Sequence, residues 1–187
     1  IFTGKLSSSL SFSGAGLDSV SMIENLSASG DMLFSNGRIQ NFGLTKKLGE
    51  HLKLLDFEAV DFKSIKNSFT VKDKKFITPD MAVATEFGDI QVDGFTGFDT
   101  SLDYDITFDL DRETSAKALK SLSSLTKYID ATPERLELNV EAEGTLLSPT
   151  FRLDTSTAEK ALKDGLKKQL SDEVDKLMKG QALDKPT

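Results

Sequence analysis

The chain predicts an α+β domain: a curved antiparallel β-sheet with one apolar face, helices between its hairpins, and an amphipathic helix at the C-terminus. Three observations lead there. The stretch Thr100 to Asp111 reads TSLDYDITFDLD, with Leu102, Tyr104, Ile106, Phe108 and Leu110 on even positions. Asp103, Asp105, Asp109 and Asp111 take the odd ones, with Thr107 between them. Successive strand side chains point to opposite faces, so this pattern makes a strand with one apolar and one acidic face; a helix would scatter it. The same phase returns at Leu136, Leu138, Val140 and Ala142 against Glu137, Asn139, Glu141 and Glu143, so the two strands share a sheet. Between such strands the apolar spacing switches to three and four, as at Leu44, Leu48, Leu52 and Leu55, which is the period of a helix.

Phe2, Leu6, Leu10 and Phe12 hold even phase through a serine-rich run, predicting a first strand that ends at Gly14-Ala15-Gly16. Leu17, Val20, Met22 or Ile23, and Leu26 then recur at helical spacing, predicting a short amphipathic helix packed on the sheet. Even phase resumes from Ala28 through Phe34. Asn36-Gly37 follows, and because Asn-Gly accepts positive φ at little cost it predicts a hairpin whose partner strand is Arg38 to Phe42. The leucine stripe makes Thr45 to Leu55 a helix facing the sheet. After an indistinct stretch with Phe57, Val60 and Phe62, a second hairpin is expected: Ser68 to Lys72, a turn at Asp73-Lys74-Lys75, and Phe76 to Thr85. Pro79 has no N–H to give a ladder, which assigns it to an edge or a bulge. Hairpins near 30–43 and 68–83 hint at a weak internal repeat. Ile90 and Val92 open the strand that turns near Asp99 to Ser101 into the acidic-and-apolar stretch, and Gly94 and Gly97 predict a bulge or bend there. Ala116, Leu119, Leu122, Leu125 and Ile129 support a helix limited by Pro133. Strands Arg135 to Thr145 and Phe151 to Asp154 follow, and the capping-box pattern Ser156-Thr157-Ala158-Glu159 opens a last helix to about Met178, with Gly180 as its stop. That helix carries Ala158, Ala161 or Leu162, Leu166, Leu170, Val174 and Leu177 along one stripe, with Lys160, Lys163, Lys167, Lys168 and Lys176 largely elsewhere.

At 187 residues the chain suits a single domain, 1–187, that buries roughly 70% of its unfolded surface. The net charge of −7 argues against a phosphate backbone as partner, so no nucleic acid is expected. There is no cysteine, which removes disulfides, thiolate metal sites and cysteine nucleophiles. The single histidine, His51, lies in the leucine-stripe helix and reads as structural or surface; one histidine builds neither a triad nor a histidine zinc site. The acidic row at 103–111 does not converge on a cation, because strand residues two apart stand about 7 Å from each other, and the glycine and glutamate of an EF-hand loop are missing. With no tryptophan and only Tyr104 and Tyr128 there is little to stack a sugar on, and no phosphate-cradling glycine loop occurs. The reading is of a protein without catalytic residues, cofactor or metal. No apolar run reaches the ~18 residues of a membrane span. The chain opens in mid-pattern at Ile1 without an initiator methionine, which reads as a fragment of a longer protein.

The positive feature is apolar content aimed one way. Of 13 phenylalanines, Phe34, Phe69, Phe76, Phe87, Phe95, Phe98, Phe108 and Phe151 fall in or beside strands. They form either the core beneath the helices or, in part, a groove; the residues alone leave both open.

The order of motifs bears on that choice. The run Gly30-Asp31-Met32-Leu33-Phe34-Ser35-Asn36-Gly37-Arg38-Ile39 leads into the helix Leu44 to Leu55, then Phe69-Thr70-Val71, then the hairpin from Asp93-Gly94 to Asp103-Tyr104. The close, Val140-Glu141-Ala142-Glu143-Gly144-Thr145-Leu146-Leu147-Ser148-Pro149-Thr150-Phe151, runs into a lysine-rich helix. From about Leu26 to Lys179 this order resembles the C-terminal region of the AsmA-like family of bacterial envelope proteins. The resemblance implies a periplasmic body anchored in the inner membrane by a segment absent from this chain, a part in outer-membrane biogenesis, and phospholipid as ligand. It also implies an apolar trough lined by the phase-matched residues Ile90, Val92, Leu102, Tyr104, Ile106, Phe108, Leu110, Leu136, Leu138 and Val140. The rival expectation is a scaffold or interaction module for other envelope proteins, with the face fully covered and a strand edge or the last helix as partner surface.

Overall fold

The computed structural model describes residues 2–40, 43–52, 59–122 and 133–181. Eight strands form one open antiparallel sheet in which each strand pairs with its neighbours in sequence: β1 (Phe2–Ser13), β2 (Ser27–Gln40), β3 (Ala59–Lys72), β4 (Lys75–Thr85), β5 (Gly88–Gly97), β6 (Ser101–Leu110), β7 (Leu136–Thr145) and β8 (Pro149–Asp154). Helices α1 (Ser19–Glu24), α2 (Gly43–Leu52), α3 (Arg112–Leu122) and α4 (Ser156–Gln181) interrupt the meander. Leu55, Phe57, Leu125, Tyr128 and Ile129 lie outside the described residues.

The two strands that share a phase are neighbours. Ile106 stands opposite Val140, Phe108 opposite Leu138 and Leu110 opposite Leu136, and all six are buried. They form one cluster with Leu48 of α2, Ala118 and Leu119 of α3, and Ala158 of α4. A smaller cluster of Phe62, Ile65 and Val83 lies on β3 and β4, with Phe34, Met81 and Ile90 against it.

Several expectations are corrected. Asn36-Gly37 is no hairpin: Ser27–Gln40 is one strand, and the pair forms a bulge within it. The extra residue lies between Lys5↔Ser35 and Thr3↔Arg38, and Asn36 takes the positive φ of 49° that the bulge needs. Glycine is required at 37 because a Cβ there would stand 2.0 Å from the Thr3 carbonyl oxygen and 2.4 Å from the Phe62 ring. The hairpin signal was real as a demand for positive φ but was spent inside a strand. Only the second hairpin exists, so the repeat disappears. Its turn is Asp73-Lys74, both at positive φ (52° and 58°), as a two-residue hairpin loop demands. The indistinct stretch before it is already strand, since β3 begins at Ala59. Pro79 does sit at a bulge, between Thr78 and Met81, with Asp80 at φ 63°. That bulge belongs to β4, not to the glycines opposite: the β5–β6 register runs unbroken through Gly94.

Helix α1 does not pack on the sheet as expected. It has six residues, none of them buried, and Val20, Met22 and Ile23 stay exposed. Its stability is local: the Asp18 carboxylate accepts from the Val20 and Ser21 N–H groups, both at 2.9 Å. The last helix begins at Ser156 as expected, with the Thr155 hydroxyl before it donating to Glu159 (3.3 Å), but it runs through Gly180, the expected stop, to Gln181.

Candidate apolar binding face

Of the ten residues expected to line a trough, seven are core. Leu102, Ile106, Phe108, Leu110, Leu136, Leu138 and Val140 are buried in the cluster that the helices join, while Ile90, Val92 and Tyr104 are half-buried against it. Tyr104 is held in place by two things. Its hydroxyl shares a 2.9 Å hydrogen bond with Thr96, and its ring lies against Gly94, where a Cβ would stand 2.6 Å from the ring and 2.1 Å from the Asp103 carbonyl oxygen.

Exposure rises along the same face toward the other edge of the sheet. On β2 and β3 the register carries the row through Phe34↔Ile65, Met32↔Asn67 and Gly30↔Phe69, and the Phe69 ring stacks on Phe76 of β4 at 4.9 Å. On β1, Phe2 (48% exposed), Leu6 (52%), Leu10 (62%) and Phe12 (75%) are open to solvent. Phe2 meets Phe34 with ring centroids 6.3 Å apart, and Leu6 pairs with the same residue in register. The phase of these four was visible in the sequence, but the strand's place at the edge of the sheet, away from the helices that join the buried cluster, was not. Asn67 interrupts the row. It is buried, and its side-chain carbonyl oxygen has no hydrogen-bond partner. A depression of about 400 Å³ spans β1 to β3 at Ser7–Ser9, Asp31–Leu33 and Lys66–Ser68.

The opposite face carries the charge. Asp93, Asp105 and Glu141 stand directly opposite one another across β5, β6 and β7, as do Asp89, Asp109 and Glu137. Like charges in such positions repel, and two arginines relieve them. Arg135 donates to Asp109 (2.7 Å) and Asp89 (3.1 Å), and the Asp109 hydrogen bond raises its guanidinium pKa further above its ordinary value. Arg152 donates to Glu141 (2.7 Å) and lies 3.6 Å from Glu143. At the β2–β3 end, Arg38 forks onto both oxygens of Asp61 at 2.7 Å, holding that carboxyl below the usual carboxylate range. Among the described residues no group of His, Cys, Asp or Glu is arranged to hold a metal ion.

Helix α4 leaves the sheet early. Ala158 is buried and Ala161 packs against the core, but Leu166, Leu170 and Val174 are exposed in a row of steps of four. No described helix is long and apolar enough to cross a membrane. Comparison with family models, with curated proteins and with solved structures finds no match to the chain.

Proposed function

We propose that this chain is a non-enzymatic module of a bacterial envelope protein that shelters phospholipid acyl chains on a curved antiparallel sheet with one apolar face. The observation that carries the reading is the gradient of exposure along one face of the sheet, from buried residues at β6 and β7 to an open row at β1. In this reading the ten phase-matched residues form the closed, rigid end of the trough, and Phe2, Leu6, Leu10 and Phe12 form its mouth. Each methylene removed from water is worth about 0.8 kcal/mol, so a few turns of chain laid along the row suffice for binding without any polar anchor. Transfer is passive and needs no cofactor. The AsmA-like resemblance supports a periplasmic setting and an inner-membrane anchor in the full-length protein, and with them a part in outer-membrane biogenesis.

A second reading, a scaffold domain for envelope proteins, is favoured by the exposed Leu166, Leu170 and Val174 of α4. Native mass spectrometry with lipid extraction separates the two. Near-stoichiometric phospholipid on protein purified from a bacterial host, lost in the variant Leu6→Ser/Phe12→Ser, is the expected result. A clean apo mass that persists after incubation with phospholipid refutes the lipid reading.

A further inference from the structure

The connections between consecutive strands alternate between the two ends of the sheet, and the two ends treat their apolar residues differently. At one end lie the segments that hold α2 and α3 and the β4–β5 turn, and they send Leu48, Phe87, Ala118 and Leu119 into or against the core cluster. At the other end lie α1, the Asp73-Lys74 turn, the β5–β6 turn and the β7–β8 turn. There the apolar residues stay in water. Leu17 joins the exposed residues of α1, Phe98 stands in the β5–β6 turn, and Leu146 and Leu147 stand in the β7–β8 turn. Leu17 and Leu147 are the two most exposed large apolar side chains among the described residues. These four connections are also tied into one rim. The Lys74 ammonium lies 3.0 Å from the Glu24 carboxylate of α1, the Phe98 N–H donates to the Lys74 carbonyl at 2.8 Å, and the Leu146 N–H donates to the Thr100 carbonyl at 2.9 Å.

We infer that this rim docks on the surface of an anionic lipid bilayer. Two features select a bilayer over a protein partner. The apolar side chains come in small groups, at α1 and at the β5–β6 and β7–β8 turns, strung over six strand spacings or roughly 30 Å. A bilayer interface accepts each group separately, whereas a protein interface needs them gathered in one patch of about 800 Å². The charges fit as well. The chain carries −7 overall, yet Lys72, Lys74 and Lys75 cluster within the rim with one acid, Asp73, among them. The rim's other carboxylates are engaged within the protein. Asp18 caps α1, Glu24 meets Lys74, and Asp99 accepts from the Ser101 N–H (3.0 Å) and hydroxyl (2.6 Å). Burial of apolar side chains and attraction of lysines to anionic lipid add in such a contact. Docking rests on the lipid reading for its purpose, which is to set the module against the bilayer that supplies acyl chains.

Flotation with vesicles of equimolar phosphatidylcholine and phosphatidylglycerol tests it, with binding expected for the wild type and weaker binding to phosphatidylcholine alone. Leu17→Ser/Leu147→Ser removes the two most exposed apolar groups of the rim and should weaken binding by about tenfold or more, at an unchanged melting temperature because both lie outside the core. Lys72→Glu/Lys75→Glu should remove the preference for phosphatidylglycerol. Leu166→Ser/Leu170→Ser, which also removes two exposed leucines but from α4, should leave binding as it is. A wild type that does not float with the vesicles overturns the inference, and so does a Leu17→Ser/Leu147→Ser variant that floats as the wild type does. Docking and acyl-chain binding fail separately. Phospholipid that co-purifies with a chain unable to bind vesicles overturns the rim alone, and vesicle binding by a chain that carries no phospholipid supports the rim while overturning the acyl-chain reading.

Discussion

Replacing Phe108 by alanine tests whether the even phase at the helix-covered end is core. Phe108 is 1% exposed and stands in register between Ile90 on β5 and Leu138 on β7. Truncation removes the transfer energy of the ring and leaves a cavity whose walls, held by two ladders, relax only in part. The expected cost is about 3–5 kcal/mol. Against a domain stability of about 5–15 kcal/mol the variant still folds, but its melting temperature should fall by roughly 6–20 °C at this chain length. Phe12→Ala is the matched control. The same atoms are lost from a side chain 75% exposed, and the change should stay within about 0.5 kcal/mol. The chain has no tryptophan, so urea unfolding followed by far-UV circular dichroism is the assay, read as a lower midpoint at unchanged slope. A Phe108→Ala loss below about 1 kcal/mol, or a Phe12→Ala loss as large as that of Phe108→Ala, refutes the division of the row into a closed and an open end.

Asn67→Leu should raise stability by about 1 kcal/mol in the same assay, because it replaces a buried carbonyl oxygen that has no partner by an apolar group of similar size; a loss would mean that the oxygen is satisfied. Gly94→Ala should cost about 1–3 kcal/mol, since Gly94 holds φ 144° and an added Cβ would press on the Asp103 carbonyl oxygen at 2.1 Å; a neutral result would show that the backbone there can relax. Asp111 caps α3 by accepting from the Thr114 N–H at 2.8 Å, and that bond holds its carboxyl below the usual range. A depressed folded pKa contributes stability that is present above the unfolded value of about 3.9 and is lost as pH falls through the folded one. Asp18, Asp61, Asp99 and Asp154 act in the same direction, so urea midpoints should hold above about pH 5 and decline below about pH 4. Asp111→Asn keeps a capping oxygen while removing the charge, and should flatten part of that decline; an unchanged acid limb would exclude Asp111 from it.

What could be read in the sequence was what neighbouring residues decide. Alternation identified β6 and β7 and their shared phase, and the two strands are neighbours in one sheet; the register Phe108↔Leu138 comes from the structure. The absence of N–H on Pro79 limited it to an edge or a bulge, and it lies at a bulge. What could not be read was settled by contacts from distant segments. Asn36-Gly37 makes the same conformational demand in a hairpin and in a bulge, and only the pairing of Ser35 with Ser64 and of Gly37 with Phe62, which keeps β2 in the ladder past the bulge, separates them. The apolar residues of α1 have helical spacing, yet six residues at the sheet's end offer too little surface to dock.

The same reasoning explains why a row of one phase is core at one end and open at the other. α2 follows β2 directly in the chain, and adjacency in sequence would lay it over β1 and β2. Instead Leu48 shares a buried cluster with Val60 at the start of β3 and with residues of β6, β7 and β8, and the Lys47 ammonium donates to the Leu147 carbonyl in the turn before β8. α3 and α4 follow β6 and β8 and contribute Ala118, Leu119 and Ala158 to that cluster as well. Among the described helices, α2, α3 and α4 thus share one buried cluster, while the helix that follows β1 is the short α1, which buries nothing. β1 is as apolar on its even positions as many strands that end up covered. Its exposure comes from where the helices dock, so changes to β1 should alter what the open row binds far more than whether the domain folds.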